Sequence, residues 1–256
     1  MTNTHKISKK YGWKKDKSDH RDRILKFTAI DLDTLPKKVD LRDKCSPVEN
    51  QTTLGSCTAN SVVGALEYLE NLTGNTGSLF ENFSRLFVYY NTREIGGTLE
   101  EDSGGSLRDT IKALANFGTC NETVWTYDIE KFRIRPCEEC YSEGVTHKIT
   151  EYSRLDSFPD MLSCLAAGFP FVFGFSVYTG FEGPAMASTG VLNLPGADEI
   201  FMGGHAVCAV GYDMDAKTVL VRNSWGADWG QGGYFTIPFA YISNPALAAD
   251  FWTIRK

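Results

Sequence analysis

Apolar and polar positions alternate with two different periods along this chain, and the change falls near its middle. From Cys57 onward Ala59, Val62, Val63, Leu66 and Leu69 recur at the spacing of one helical face, and Gly74 stands just past the last turn. The runs "SRLFVYYNTRE" and "GSLRDTIKALANFG" carry the same period, the second stopping at Gly118. This half is expected to be α-rich. Residues 119–150 mix turn signals with "CEEC" and read as a crossing between lobes. After one more helical stretch, "FPDMLSCLAAG", the text turns to β-branched and aromatic runs between Gly, Pro and Asp: "PFVFGFSVY", "HAVCAVGY", "TVLVRNSW", "GYFTIP" and "FWTIRK". The second half is expected to be β-rich.

The length of 256 residues suits one domain of two lobes or two tightly packed domains. We divide it into an arm (1–36), a helical lobe (37–150) and a β-rich lobe (151–256). The net charge of -6 speaks against a nucleic-acid partner, but it is unevenly spread. Residues 1–27 hold nine Lys/Arg and three Asp, which leaves 17 basic and 29 acidic residues for the remainder. A basic arm precedes an acidic body. No apolar run approaches the ~18 residues that a membrane helix needs, and the start lacks the apolar core of a secretory signal.

Seven cysteines, an odd number, imply that at least one is free or paired between chains. Cys57 falls where a Gly-Ser turn gives way to a helix, where partial positive charge favours the thiolate. A neighbouring imidazolium would do the same, and of four histidines His205, opening the strand "HAVCAVGYD", is the candidate. A hairpin with loop 213–217 pairs Tyr212 with Thr218 and sets Asn223 opposite Val207, so His205 and Asn223 share a face as diagonal neighbours. A carboxamide there fixes the imidazole tautomer. The Cys57 amide and the Gln51 carboxamide are candidate donors to an oxyanion. Taken singly, His205 and the tryptophans are as readily core residues, and Cys45, Cys120, Cys164 and Cys208 read as buried hydrophobes. "CEEC" is open between a disulfide, half a metal site and a redox pair.

"ENQTTLGSCTANS", "GGHAVCAVGYD" and "VRNSWGADWGQGGYFTIP", in this order and spacing, resemble the papain-like cysteine proteases, particularly compact prokaryotic and viral relatives. The resemblance covers roughly residues 36–256. His205 lies 148 residues after Cys57 and Asn223 166 after, the first within the ~130–150 typical of that family and the second beyond it.

The resemblance implies an α+β, two-lobed papain-like fold with an antiparallel β-barrel-like second lobe and a cleft between lobes. It implies Cys57 as nucleophile, His205 as base and acid, Asn223 as orienter, Gln51 in the oxyanion hole and Trp225 as a cover over the His–Asn pair. It further implies Gly104 and Gly105 along the substrate backbone and Gly174 and Ala206 in the wall of an apolar pocket. Thr58 replaces the usual aromatic after the nucleophile, and Leu54 stands where the family often has a disulfide cysteine. The function implied is a cysteine endopeptidase acting on protein or peptide substrates, with no metal or other cofactor and no membrane span. Alternatives are an exopeptidase or ligase with the same acyl-enzyme chemistry, or a non-catalytic scaffold. "LPKKVDLRD" resembles a mature start, which makes residues 1–36 a candidate pro-segment and intramolecular inhibitor. An intracellular or virion-associated location is expected.

Overall fold

The computed structural model describes residues 11–27, 32–74 and 82–256. Helices α1 (Cys57–Thr73), α2 (Arg85–Ile95) and α3 (Leu107–Phe117) form where the 3.6-residue period predicts them. Gly74 ends α1 in the left-handed conformation, with φ 69°, which costs glycine least. Ser84 and Ser106 cap α2 and α3 by accepting amide hydrogens of Phe87 and Asp109. Short helices α4 (Glu138–Gly144) and α5 (Phe158–Ala166) follow, then α6 (Pro184–Thr189) and α7 (Phe239–Ile242).

The strands are β1 (Lys38–Asp40), β2 (Glu151–Arg154), β3 (Phe171–Tyr178), β4 (Phe201–Asp213), β5 (Thr218–Arg222), β6 (Tyr234–Pro238) and β7 (Ala248–Arg255). They make one antiparallel sheet in the order β2-β7-β3-β4-β5-β6, with β1 also paired to β4. The α+β expectation is met, but the sheet does not close into a barrel: β2 and β6 end it on opposite sides without pairing to each other. The long β4 organises it, taking β3 along most of its length, and β5 and β1 at its far end.

The hairpin register departs from expectation by one residue near the loop, where Tyr212 faces Val219 and Asp213 faces Thr218. An irregularity between Ala209 and Gly211 absorbs the slip, so that Cys208 faces Arg222 as the sequence register requires. The functional end of the hairpin therefore keeps the predicted alignment.

Period-two alternation assigns the two faces of β4 to two cores. Ala206, Cys208 and Val210 pack with α1, α2 and α3, while Val207 and Ala209 pack with Phe171, Phe173 and Phe175 on the other face. Helix α1 lies between its helical neighbours and the sheet, and every residue from Cys57 to Glu70 is buried. One charge in it needs compensation. Glu67 accepts from Arg85 Nη2 at 2.8 Å, from the Phe83 amide at 2.9 Å and from Ser46 Oγ at 2.5 Å. Removing one member of such a buried pair strands the other charge. Glu67→Ala is expected to lower unfolding free energy by about 3 kcal/mol, seen as a lower urea midpoint with an unchanged slope; a loss below about 1 kcal/mol would contradict this account of the helical core.

Candidate active site

Cys57 is the first residue of α1 and is completely buried. Burial pushes its thiol up to about 11, although the backbone amides of Ala206, Gly12 and Thr58 and its own amide pull the other way. The Ala206 contact is informative, because Ala206 follows His205. The residue that turns its side chain to the helical core is thus the one whose amide meets the thiol, and its neighbour holds the imidazole.

His205 Nε2 lies 2.8 Å from Asn223 Oδ1, and both side chains are buried. An amide oxygen only accepts, so Nε2 carries the proton in this contact. The ring of Trp225 lies 5.2 Å from that of His205 at an interplanar angle of 31°, and Phe175 and Phe181 close other sides. Water is kept from the His–Asn bond by aromatic rings, which strengthens it.

Gln51 is fully buried and anchored at both ends of its amide: Nε2 donates to Leu54 O at 2.9 Å, and Oε1 accepts from Ser224 Oγ at 2.5 Å. Its backbone amide donates to Ser224 O at 2.8 Å, Asn50 bridges to Trp225, and Gly226 N donates to Glu49 O at 2.9 Å. A backbone seam therefore joins segment 49–51 to segment 224–226, so Gln51 and Asn223 are placed by one another's loops. Ser224 was not singled out from sequence; its position between Asn223 and Trp225 was the available signal. Tyr127 was missed as well, lying in the stretch of mixed turn signals. Its hydroxyl donates to Gln51 O at 3.1 Å and also pairs with the Ser56 hydroxyl.

The arm runs through this site. Gly105 N donates to Gly12 O at 2.8 Å, Lys14 N to Gly105 O at 2.9 Å, and Trp13 N to Gly204 O at 3.0 Å. The first two bonds form a parallel bridge between Trp13 and Gly105. Gly104 and Gly105 thus lie beside the backbone of the arm. A Cβ at Gly104 would fall 2.0 Å from Gly12 O, and one at Gly174 would fall 1.9 Å from a Trp13 ring carbon. Gly174 is the floor under the Trp13 indole, with Gly204 beside it; Ala206 contributes its amide to the thiol. Tyr11 sets its ring 5.9 Å from His205 and its hydroxyl 2.5 Å from a Glu182 oxygen.

Further along, the arm is held by charge. Asp22 accepts from Arg108 Nη2 at 2.5 Å and Arg154 Nε at 2.6 Å, and Asp16 accepts from Arg154 Nη2 at 2.6 Å and Trp252 Nε1 at 2.9 Å. Burial raises the Asp22 carboxyl, but the two guanidinium groups outweigh it and hold the group below the usual range. Asp16 is raised, by burial and then by neighbouring Asp250. Asp250 adopts φ 59°, unusual outside glycine, and its carboxylate takes the Trp13 indole N–H at 3.2 Å and the Asp16 amide at 2.7 Å.

Among the described residues no helix is long and apolar enough to cross a membrane. A family model described as papain family cysteine protease matches residues 35–244. An uncharacterized peptidase C1-like protein of Acanthamoeba polyphaga mimivirus is 38% identical over 279 aligned residues, which cover 99% of this chain and 89% of the relative. Chymopapain of Carica papaya is 29% identical, the match covering 82% of this chain and 57% of that protein. Among solved structures, xylellain, a cysteine protease from Xylella fastidiosa, superposes with a TM-score of 0.87 at 38% identity over 96% of both chains. Digestive procathepsin L2 of Tenebrio molitor shares the fold, with a TM-score of 0.72 at 23% identity over 92% of this chain and 74% of that one. This chain belongs to the papain family and is a cysteine peptidase.

Proposed function

We propose that the chain is an endopeptidase in which Cys57 attacks the scissile carbonyl, His205 moves the proton and Asn223 holds the imidazole. The observation that carries the reading is the 2.8 Å His205–Asn223 bond, made on the strand whose next residue, Ala206, turns its amide to the Cys57 thiol. With Nε2 committed to Asn223, Nδ1 is the nitrogen that takes the thiol proton and later gives it to the leaving amine. The Cys57 amide and the Gln51 carboxamide polarise the carbonyl oxygen as it gains charge, and water then hydrolyses the thioester. Helix α1 favours the thiolate at its N-terminus once burial by the arm is lifted. The reaction uses two lobes, 37–150 and 151–256, with the substrate lying between Gly105 and Gly204. Trp13 on the glycine floor argues for a large apolar side chain in that pocket.

The arm is the inhibitor in this reading, and the enzyme is made as a zymogen. Gly12 offers the thiol an N–H, where a substrate must offer a carbonyl carbon, so the seated arm blocks the site without being cut there. The relative from a virus fits an intracellular or virion-associated site of action.

Four outcomes test the proposal. On a dipeptidyl fluorogenic panel, protein freed of residues 1–36 should exceed the full chain in kcat/KM, and Trp13→Ala should move the full chain in the same direction; equal activity with and without the arm refutes inhibition. In the arm-free enzyme Cys57→Ala should cost at least about 10⁴-fold in kcat, and Gln51→Ala about 100-fold with little change in KM; turnover that survives Cys57→Ala excludes the assigned nucleophile.

Arm affinity should also depend on pH in a stated direction. Burial in the arm-docked chain holds the Cys57 thiol up at about 11, against the lowering pull of the Gly12 amide; we expect the share of that burial which the arm supplies to make docking weaken as pH rises from the ordinary thiol range toward 11. The depressed Asp22 pKa adds loss of docking as pH falls below the carboxylate range, and the raised Asp16 pKa opposes it there. Binding of the arm as a separate peptide, followed by calorimetry from pH 7 to 10, reads the alkaline limb; a flat profile would contradict it.

A further inference from the structure

The two backbone segments that the reaction needs in register hang on one carboxylate. The Gly55 amide, two residues before Cys57, donates to both Asp102 oxygens at 3.0 and 3.2 Å. Tyr89, fully buried on α2, donates its hydroxyl to Asp102 Oδ1 at 2.5 Å and accepts the Gly104 amide at 3.0 Å. Burial and the adjoining carboxylate raise the Tyr89 phenol, which keeps it a donor, and the Arg93 guanidinium lies 4.5 Å over its ring. The nucleophile loop and the glycine strip are therefore linked as Gly55–Asp102–Tyr89–Gly104, entirely by hydrogen bonds. All seven cysteines are free, and Leu54, beside Gly55, offers no thiol.

We propose that Asp102 and Tyr89 are positioning residues: a hydrogen-bond clamp that sets the distance between the Cys57 loop and the strip that binds substrate backbone. The proposal rests on Cys57 as nucleophile and adds a division of labour. Tyr89 bonds the glycine strip directly and the Cys57 loop only through Asp102, so its hydroxyl acts first on substrate binding. Asp102 bonds the Cys57 loop directly and the glycine strip through Tyr89, so its loss acts on the chemical step as well as on binding. Losing one such bond is a change of about fivefold to tenfold.

The test is steady-state kinetics of the arm-free enzyme, with the unmutated protein measured first; if that protein has no turnover, the functional assignment fails and not the clamp alone. Tyr89→Phe should raise KM about fivefold with kcat within twofold, and Asp102→Asn should lower kcat about tenfold and raise KM. Both should do so at a common temperature well below their melting points. Unchanged constants in both variants, or a kcat loss in Tyr89→Phe with KM unmoved, would overturn the clamp. Should Asp102→Asn fail to fold, the Tyr89→Phe split decides alone.

A second inference rests on different atoms. Cys137 Sγ and Cys140 Sγ lie 3.1 Å apart, and Cys140 is also hydrogen-bonded to the Cys120 thiol. Cys137 is exposed, whereas Cys140 and Cys120 are fully buried. The Cys140 thiol and the amides of Cys140 and Glu139 favour the Cys137 thiolate, while burial disfavours the other two.

The geometry points to a thiol–disulfide exchange site that opens at Cys137 and closes on Cys140, with a low-molecular-weight disulfide such as oxidised glutathione as the oxidant. The Cys137 thiolate attacks one sulfur of that disulfide and expels a thiolate, forming a mixed disulfide. Cys140 gives its proton to the expelled thiolate, attacks Cys137 Sγ and releases the second thiolate, which takes from water the proton that Cys137 lost on ionising. One disulfide is consumed, and one protein disulfide and two small thiols are formed.

Full-length protein equilibrated in glutathione buffers, alkylated and mapped by mass spectrometry should yield a Cys137–Cys140 disulfide. Cys137→Ser should leave Cys120 and Cys140 reduced on the same timescale. Persistent free Cys137 in oxidised buffer, or oxidation of Cys120 and Cys140 at an unchanged rate in Cys137→Ser, would overturn the assignment.

Discussion

Strand β4 is the constraint on which the rest of the site depends. Because successive residues of a strand face opposite ways, His205 turns its ring toward Asn223 and the aromatic rings while Ala206 faces α1 and the Cys57 thiol. Adjacent residues of one strand thus carry the imidazole and the amide that meets the Cys57 thiol at the first turn of α1. A one-residue slip of this strand would exchange the two faces. The irregularity between Ala209 and Gly211 shows how the protein accommodates such a slip, confining it to the loop end of the hairpin.

The other elements secure that alignment from outside. The backbone seam between 49–51 and 224–226 ties Gln51 to the loop that carries Asn223, and Tyr127 and Asp102 pin the turn before α1. The arm lies along the surfaces proposed for the substrate. Its backbone pairs with Gly105, its indole fills the floor at Gly174 and its carboxylates engage Arg108 and Arg154. The described ion pairs run against the net charges: aspartates of the basic arm pair with Arg108 and Arg154 of the acidic body and fix where the arm lies.

Much of this was legible in the sequence, for a physical reason. Helices α1 to α3 and the strands carry strong periodic patterns, and the order and spacing of Cys57, His205 and Asn223 survive any local error in register. Pairing arithmetic places His205 beside Asn223 although its loop end is off by one, because the irregularity between Ala209 and Gly211 absorbs the slip before Cys208. Closure of the sheet was not readable, since closure depends on strands distant in sequence meeting at both edges, and β2 and β6 do not. Ser224, Tyr127, Tyr89 and Asp102 carry no comparable signal: each acts through hydrogen bonds to residues distant in sequence, and a lone polar residue in a helix or turn announces no partner. Gly12 and Trp13 sat in a polar, unpatterned stretch, where the basic charge of the arm was readable but its path over Cys57 was not.

The central claim is that the arm occupies the cleft in a polarity that blocks Cys57 without offering it a bond to cut. The most direct measurement adds a peptide of residues 11–27 to arm-free enzyme and follows both turnover and the peptide's integrity by mass spectrometry. The account predicts competitive inhibition with the bonds on either side of Gly12 intact after prolonged incubation. Absence of inhibition, or scission next to Gly12, would contradict it.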